Sequence, residues 1–231
     1  MWVVWSLIGL CVLLLIRPRR RARYHPIVRR LLKHHGRQRI DYAIVHDGAF
    51  RHPTVHWDTM RNVVERIQAG GDCMNLKITD PEHLRSVGLP EDATLRIQSP
   101  NFHYGLHYDC NTQRVTQLSG SKRWILFDHR FDTLDGEAEY VKTWWSKDNG
   151  IDALAASLLR RGVEYTVVTT SPGDELSIPM GRWHQTEGTH NTGMNILVNF
   201  QEDGTDEACN VRFAHTFPSQ QAACDTNECR Y

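Results

Sequence analysis

Residues 106 to 127 read LHYDCNTQRVTQLSGSKRWILF, and this stretch predicts both the fold and the chemistry of the chain. Two runs rich in apolar and β-branched residues, RVTQL and RWILF, flank the turn signal LSGSK, a pattern typical of two strands joined by a turn. The motif His107-Tyr108-Asp109 precedes them. On an extended strand, alternate side chains point to the same face, so one imidazole and one carboxylate could bind the same metal ion.

Short runs of the same kind recur along the chain and predict a strand-rich body. They are NLKIT, ATLRIQ, EYTVVTT, ELSIP and MNILVNF, and turn signals such as SPN, SPGDE and PMGR lie between them. This spacing suggests a β-sandwich or barrel. Residues 136–161 interrupt it with two segments of helical spacing, and Gly162 supplies a stop signal. The predicted architecture is therefore mainly β, with a helical insert.

A His-x-Asp motif is weak support for a metal site by itself, because chance supplies about one in a chain of this composition. A second copy occurs at His56-Trp57-Asp58. There the aspartate precedes TMRNVVERIQAGG, which has helical spacing and ends in two glycines. Asp58 is therefore predicted to cap a helix at 58–69 rather than to bind a metal ion.

The segment GDELSIPMGRWHQTE supplies a third candidate ligand, His184, after a turn at Met180-Gly181. Two histidines and one carboxylate on a rigid β scaffold form the facial triad that suits non-haem Fe(II) and oxygen chemistry. Lys122 lies on the strand that follows the turn LSGSK, and a lysine inside a barrel needs an anionic partner such as a dicarboxylate. Taken alone, His184 could equally be a core histidine and Lys122 a surface residue.

Together these motifs resemble the JmjC-type, cupin-like Fe(II)/2-oxoglutarate-dependent oxygenases, in particular the asparaginyl and wybutosine-tRNA hydroxylases of that family. The resemblance covers roughly residues 40–215 and rests on RIQSPNFHYGLHYDCNTQRVTQLSGSKRWILF, GDELSIPMGRWHQTE and NILVNF. It implies a double-stranded β-helix, that is, a jelly roll with flanking helices. It also implies a dioxygenase that consumes 2-oxoglutarate and O2, releases succinate and CO2, and hydroxylates a C–H bond.

The resemblance implies roles for individual residues as well. His107, Asp109 and His184 would bind Fe(II), and Lys122 would hold the distal carboxylate of 2-oxoglutarate. Asn199 matches an asparagine that lies at the cosubstrate site in the family.

Two further residues at the cosubstrate site depart from the family pattern. Tyr104 stands where relatives have a serine or threonine three residues before the first histidine, and Gln113 stands where they often have asparagine. Gln117 and Trp183 are candidates for positions behind the metal ligands. The pair Trp144-Trp145 could form a lip for a peptide substrate, or an amphipathic helix could bury both rings.

Residues 2–16 are apolar except for Ser6 and Gly9, and the stretch 17–39 that follows holds ten Lys or Arg and no acid. We expect a transmembrane anchor at 1–16 and, by the positive-inside rule, a cytosolic catalytic domain on an endomembrane such as the endoplasmic reticulum. The basic stretch is expected to form a solvated helix that could also contact anionic lipid. Residues 40–215 form the predicted cupin-like domain, and 216–231 a polar tail.

Residues 40–231 carry 17 basic and all 27 acidic residues, a net charge of −10. This charge argues against a polyanionic substrate such as nucleic acid, so a protein or peptide substrate is expected. Five cysteines lie outside the apolar segment without a CxxC pair, which does not predict a disulfide framework. Two alternatives stay open: a non-catalytic cupin-like binding module, and a hydroxylase of RNA.

Overall fold

The computed structural model describes residues 24–44, 54–70, 73–144, 150–189, 193–202 and 207–216. These ranges contain six helices and eleven strands. The helices are α1 (Pro26–His35), α2 (Met60–Ala69), α3 (Pro81–Val87), α4 (Leu134–Trp144), α5 (Ile151–Arg160) and α6 (Glu207–Thr216). The strands are β1 (Arg39–Ile44), β2 (Thr54–Thr59), β3 (Met74–Ile78), β4 (Ala93–Gln98), β5 (His103–His107), β6 (Thr112–Ser119), β7 (Lys122–Phe127), β8 (Tyr165–Thr170), β9 (Glu175–Ile178), β10 (Trp183–Gly188) and β11 (Asn195–Glu202).

The strands form two antiparallel sheets, and the chain passes repeatedly from one sheet to the other. One sheet has the order β2-β1-β3-β4-β11-β6-β9, and the second has the order β5-β10-β7-β8. Because β4, β6, β9 and β11 lie in the first sheet and β5, β7, β8 and β10 in the second, these eight strands form a jelly roll of the kind found in cupins. The predicted mainly β, cupin-like fold is confirmed.

The seven-stranded sheet is covered on its outer face by α1, α2 and α3. Along β4, the apolar side chains of Leu95 and Ile97 join this outer core, whereas Arg96 and Gln98 line the space between the sheets. Helix α1 contributes four side chains to the same core, namely Ile27, Val28, Leu31 and Leu32. The second half of the basic stretch therefore packs against the β body.

The four-stranded sheet has a separate outer core, which it shares with α4 and α5. Trp183, Tyr108 and Phe127 lie in this core and are at most 1 % exposed. The space between the sheets holds a smaller apolar cluster, formed by Val115, Trp124, Leu126, Ile178 and Leu197. Since the two larger cores lie outside the sheets, polar side chains can occupy part of the interior.

The predicted strands agree with seven observed strands, β3, β4, β6, β7, β8, β9 and β11, to within two residues at each end. The helical insert is confirmed as α4 and α5. Strands β1, β2 and β10 and helices α3 and α6 were not predicted. Charged side chains interrupt the short apolar runs of β1 and β2, and α3 has 7 residues, too few for helical periodicity to emerge.

The cap of helix α2 lies one residue later than predicted, at Thr59 instead of Asp58. Helix α2 begins at Met60, and its cap is Thr59, whose side-chain hydroxyl accepts a hydrogen bond from the Asn62 N–H at 3.3 Å. Asp58 instead accepts hydrogen bonds from the Thr59 N–H and the Asn62 amide, each at 2.7 Å. The second His-x-Asp motif therefore supports the start of a helix.

The membrane prediction also needs correction. Among the described residues, no helix is long and apolar enough to cross a membrane. The predicted localisation, a single-pass protein of an endomembrane, is therefore wrong. Residues 1–16, on which that prediction rested, lie outside the described ranges.

A disulfide bond joins Cys110, which follows the candidate ligand Asp109, to Cys209 of α6. The two Cα atoms are 5.6 Å apart, within the range that such a bond requires. The sequence predicted no disulfide framework, and this single bond was not foreseen. The partners are separated by 99 residues, and no local spacing marks a pair of that kind.

Helix α6 is also held by a buried carboxylate. Glu137 of α4 is 2 % exposed and accepts hydrogen bonds from Arg212 Nε at 2.7 Å and from the Thr216 hydroxyl at 2.8 Å. The Arg212 guanidinium lies 4.8 Å from the centre of the Tyr108 ring. Because Tyr108 stands between His107 and Asp109 in the chain, this network supports the back of the candidate site.

Arg212→Ala is expected to reduce the free energy of unfolding by about 3 kcal/mol, because it leaves the buried Glu137 carboxylate without its counter-charge. Urea unfolding followed by circular dichroism measures the change. Arg160→Ala, at the exposed end of α5, is the matched control and should change stability by less than about 0.5 kcal/mol. Equal stability of the two variants would contradict a structural role for this ion pair.

Candidate metal centre

Two neighbouring strands bring the three candidate ligands together. Strands β5 and β10 pair in antiparallel register, and His107 lies directly opposite His184. Asp109 follows two residues after the end of β5, and one ligand atom from each of the three side chains lies within 4.8 Å of the others. The distance from His184 Nε2 to Asp109 Oδ2 is 3.5 Å. Within the described ranges, this is the one group of three or more such side chains that could hold a metal ion.

Backbone carbonyls set the tautomers of both histidines. His107 Nδ1 lies 2.8 Å from the Gly105 carbonyl oxygen, and His184 Nδ1 lies 3.0 Å from that of Arg182. A carbonyl only accepts hydrogen bonds, so each Nδ1 carries the proton and each Nε2 offers a lone pair. Burial, reinforced by the neighbouring His184, holds the pKa of His107 well below its usual value, which favours the neutral form that binds metal.

Tyr108 and Trp183, which are next to the ligands in the sequence, project from the opposite face of the sheet and pack in the outer core. The rings of Tyr108 and Trp183 meet edge to face with centroids 4.7 Å apart. The Trp183 indole N–H donates to the His129 carbonyl at 3.3 Å. Trp183 thus lies on the opposite face of the sheet from the cavity and packs β10 against the outer core. The register of β10 on β5 shifts between His184 and Thr186, an irregularity that re-aims side chains.

Lys122 lies between the sheets and is 2 % exposed. Its Nζ donates to Gln98 Oε1 at 2.9 Å and lies 5.4 Å and 5.2 Å from the ring centres of Phe102 and Trp124. Burial, with a smaller contribution from the Arg96 charge, lowers the pKa of Lys122 to about 7. No carboxylate of the described residues lies within ion-pair distance of this ammonium group. A buried lysine without a counter-ion is costly, which indicates a site for an anion.

All seven residues that the sequence singled out as ligands or cosubstrate contacts line one cavity of about 90 Å³, namely Tyr104, His107, Asp109, Gln113, Lys122, His184 and Asn199. Two buried oxygen atoms in its wall, Asn199 Oδ1 and Thr186 Oγ1, have no hydrogen-bond partner among the described residues. The Tyr104 ring lies 4.3 Å from the His107 ring, and the Gln113 amide donates to Asn111 Oδ1 at 2.6 Å. The cavity therefore combines the metal-binding group, the buried cation and unused polar atoms.

Four polar residues of the cavity wall, Arg96, Gln98, Thr186 and Gln201, were missed by sequence reasoning. In ATLRIQ the polar residues alternate with apolar ones, and on an antiparallel sheet such a polar face usually meets solvent. Here a second sheet covers that face, so the same pattern lines an interior cavity. The alternation alone could have placed Arg96 and Gln98 on one face, but not inside the protein.

Two other predicted residues lie elsewhere. Gln117 is buried, and its amide contacts Asn195 Oδ1 at 3.2 Å and accepts from the Thr170 hydroxyl at 3.3 Å, in a network near the start of β7 rather than behind the metal ligands. Trp144 is half-buried in the outer core, with its ring 6.1 Å from that of Tyr140, and Trp145 lies outside the described residues. This packing favours the alternative in which the helix buries the Trp144 ring over the one in which the ring forms a lip for a peptide substrate.

Comparisons with known proteins assign no family to the chain. No family model matches it, and no curated protein does. Among solved structures, it is similar to the cupin domain of Drosophila melanogaster CENP-C, with 6 % identity over 48 % of this chain and 60 % of that one and a TM-score of 0.31. It is also similar to Bacillus subtilis oxalate decarboxylase, which has Mn(II) centres, with 14 % identity over 59 % of this chain and 27 % of that one and a TM-score of 0.33. The chain spans less than two thirds of either protein, and likenesses this distant assign no function.

Calorimetric titration of the metal-free protein with Mn(II) is expected to show one site. Asp109→Ala should weaken binding by at least about 100-fold, since the loss of a direct ligand should exceed the effect of losing an outer-sphere contact. Asp58→Ala removes the aspartate of the second His-x-Asp motif and should leave the affinity unchanged. Equal affinities for the Asp109 variant and the wild type would exclude the proposed ligand set.

Lys122→Met is expected to stabilise the metal-free protein at pH 7 by roughly 1–4 kcal/mol, because it keeps the volume of the side chain and removes a buried charge. The unfolded chain keeps this proton to about pH 10.4, whereas the folded protein releases it near pH 7. The wild type should therefore gain stability from pH 7 to pH 10, and the advantage of the variant should shrink. Urea unfolding at both pH values measures this.

The matched control for that measurement is Lys33→Met, on the exposed side of α1, which should change stability by less than about 0.5 kcal/mol at either pH. A Lys122 variant that is less stable than the wild type at pH 7 would show that the ammonium group has a compensating partner.

Proposed function

We propose that this chain is an Fe(II)/2-oxoglutarate-dependent dioxygenase that hydroxylates a C–H bond of a protein side chain. One observation carries the proposal: a His-Asp-His group and a buried lysine without a counter-ion open into the same cavity. The first feature suits a metal ion and the second suits a carboxylate. The proposed reaction needs both at the two ends of a single small acid.

The ligand set fits Fe(II). Two neutral imidazoles and one carboxylate that lie on one side of an ion leave its remaining positions open, which is the arrangement of non-haem Fe(II) oxygenases. The Nε2 atoms of His107 and His184 are kept free of protons by the backbone carbonyls that bind Nδ1. When bound, Fe(II) with 2-oxoglutarate and O2 supplies the oxidising power for C–H hydroxylation, with succinate and CO2 as the other products.

The interior polar residues fit 2-oxoglutarate. A lysine ammonium has three donors, and Gln98 uses one, so two remain for the distal carboxylate. Asn199 and Thr186 offer further polar atoms in the same wall, and Tyr104 lies beside the first ligand. An anion bound to Lys122 would neutralise the buried charge, so cosubstrate binding would relieve a cost that the empty cavity carries.

The cavity wall also limits access of water to the metal site. Val115, Trp124, Ile178 and Leu197 line the cavity and form the apolar cluster between the sheets. Exclusion of water directs an oxidising site toward the bound substrate. In the proposed reaction, the task of these side chains is to orient the cosubstrate and to keep the site dry.

A protein substrate is proposed over RNA because of charge. The chain from residue 40 onward has a net charge of −10, and phosphate contacts normally supply most of the affinity for nucleic acid. RNA as the substrate would require salt-sensitive binding through the basic stretch at 17–39.

A second candidate function is a non-catalytic binding module with the same fold. The observation that favours it is the contact of Lys122 with Gln98, which already satisfies one donor of the lysine with a neutral amide. Gln113 points the same way, because one of its two amide N–H groups already donates to Asn111. On this alternative, the cavity would bind a ligand but would not turn over 2-oxoglutarate.

The two candidates are separated by mixing the protein with Fe(II) and 2-oxoglutarate under anaerobic conditions. The dioxygenase is expected to develop the visible absorption band of an iron-bound 2-oxo acid and, on admission of O2, to form succinate. Lys122→Met should weaken 2-oxoglutarate binding by roughly 10-fold or more, as expected for the loss of a charge-assisted hydrogen bond. It should leave Mn(II) affinity unchanged. Normal metal binding without an absorption band and without a thermal shift by 2-oxoglutarate would favour the binding module.

A further inference from the structure

Two basic residues at the cavity have no counter-ion among the side chains that the structure describes. Arg96 lines the cavity, and Lys77 is its direct cross-strand partner on β3. Directly paired residues of neighbouring strands project from the same face of a sheet, and like charges in such a pair repel. Both side chains are partly buried, so water screens this repulsion only in part.

Among the residues whose side chains the structure describes, none forms an ion pair or hydrogen bond with Arg96 or Lys77. The pair lies close to the site, because Arg96 lines the same cavity as the metal ligands and Lys77 lies directly opposite Arg96 on β3. The Arg96 charge contributes to the lowered pKa of both Lys77 and Lys122, while the Asp109 carboxylate acts on Lys77 in the opposite direction. Burial is the largest cause of the shift in Lys77, whose pKa falls to about 8. The two cations therefore stand beside the metal ligands rather than on a distant surface.

The charge balance of the cavity indicates what is missing. Among the side chains that the structure describes, Asp109 is the single acidic residue in the wall, whereas Arg96, Lys122 and the adjacent Lys77 are basic, which leaves a formal excess of two positive charges in that set. A divalent metal ion and the doubly negative 2-oxoglutarate add no net charge. The excess therefore remains after the proposed cofactor and cosubstrate are bound, and a further anionic group is needed to offset it.

We infer that Arg96 and Lys77 form a subsite for a carboxylate group of the substrate, either an acidic side chain in a peptide or a free carboxylic acid. The inference rests on the proposed function, which makes this cavity the place where substrate meets the metal ion. The guanidinium of Arg96 offers the planar pair of donors that matches a carboxylate, and Lys77 adds a point charge beside it. The subsite holds the acidic group while a C–H bond of the same substrate lies at the metal.

Lys122 and Arg96 occupy different positions in the cavity wall, and Lys77 lies beside Arg96. Lys122 begins β7 and donates to Gln98, the last residue of β4, whereas Arg96 lies two residues earlier on β4 and pairs with β3. The cosubstrate carboxylate therefore has its own cation. This separation makes it feasible to weaken substrate binding without weakening cosubstrate binding.

The test uses the full chain loaded with Mn(II) and 2-oxoglutarate, because Mn(II) does not start the reaction and speeds the proton relaxation of molecules bound nearby. The probes are N-acetyl aspartate amide and a blocked pentapeptide with a central aspartate, each beside its asparagine counterpart, together with propionate and inorganic phosphate. Acidic probes should show saturable relaxation enhancement, and the asparagine probes should show none. Tighter binding of the pentapeptide would indicate an acidic side chain in a peptide, and tighter binding of propionate would indicate a free carboxylic acid.

Arg96→Gln should weaken acidic-probe binding by roughly 10-fold or more and Lys77→Met by several-fold, as expected for the loss of charge-assisted hydrogen bonds. Both variants should keep the Mn(II) and 2-oxoglutarate affinities of the wild type. Arg114→Gln is the matched control, because that arginine is exposed on β6 and lies 5.1 Å from the Phe200 ring, in the outer core. It should leave every affinity unchanged.

Three results would overturn the inference: equal binding of acidic and neutral probes, tighter binding of phosphate than of any carboxylate, or loss of 2-oxoglutarate affinity in Arg96→Gln. The last would make Arg96 a cosubstrate ligand and would leave the proposed function standing.

If the wild type binds no 2-oxoglutarate, the proposed function fails. The probes are then titrated calorimetrically without it, and loss of acidic-probe binding in Arg96→Gln still supports the carboxylate subsite, whereas unchanged binding rejects it.

Discussion

The pairing of β5 with β10 is the constraint on which the candidate site depends. It sets His107 opposite His184, and the carbonyls two residues before each histidine fix both rings with Nε2 toward the same point. Asp109 completes the group because the chain leaves β5 just beyond His107. A shift of one residue in this register would turn His184 to the outer face and place Trp183 in the cavity. The outer core that holds Trp183 therefore protects the chemistry of the inner face.

The location of the apolar cores explains how a small jelly roll can hold so much charge. Both large cores lie on the outer faces of the sheets, against helices, and the apolar cluster that the described residues form between the sheets is smaller. Burial of the apolar side chains in the two outer cores stabilises the fold, so part of the interior can hold Lys122 and Arg96. A cation there lowers the stability of the ligand-free protein. Such residues are typical of sites selected for binding, since stability alone would favour apolar side chains at these positions.

The C-terminal helix ties a distant part of the chain to the same site. Cys209 is bonded to Cys110, one residue after Asp109, and Arg212 connects the buried Glu137 to the ring of Tyr108. Both links reach the short segment that carries two of the three candidate ligands. The position of that segment is thus determined from three sides: by β10, by the outer core and by α6.

The sequence by itself determined the alternating strands, the helical insert and seven residues that prove to line one cavity. These are the properties that local periodicity and ligand spacing encode. Only the tertiary structure decided the rest. The polar face of β4 resembles a solvent-exposed strand until a second sheet covers it, and the Cys110–Cys209 bond spans 99 residues without a local signal. The juxtaposition of Lys77 and Arg96 likewise exists only once β3 lies beside β4. Whether a charged side chain is buried depends on which surfaces pack together in the folded protein. The sequence of a single strand does not specify that packing.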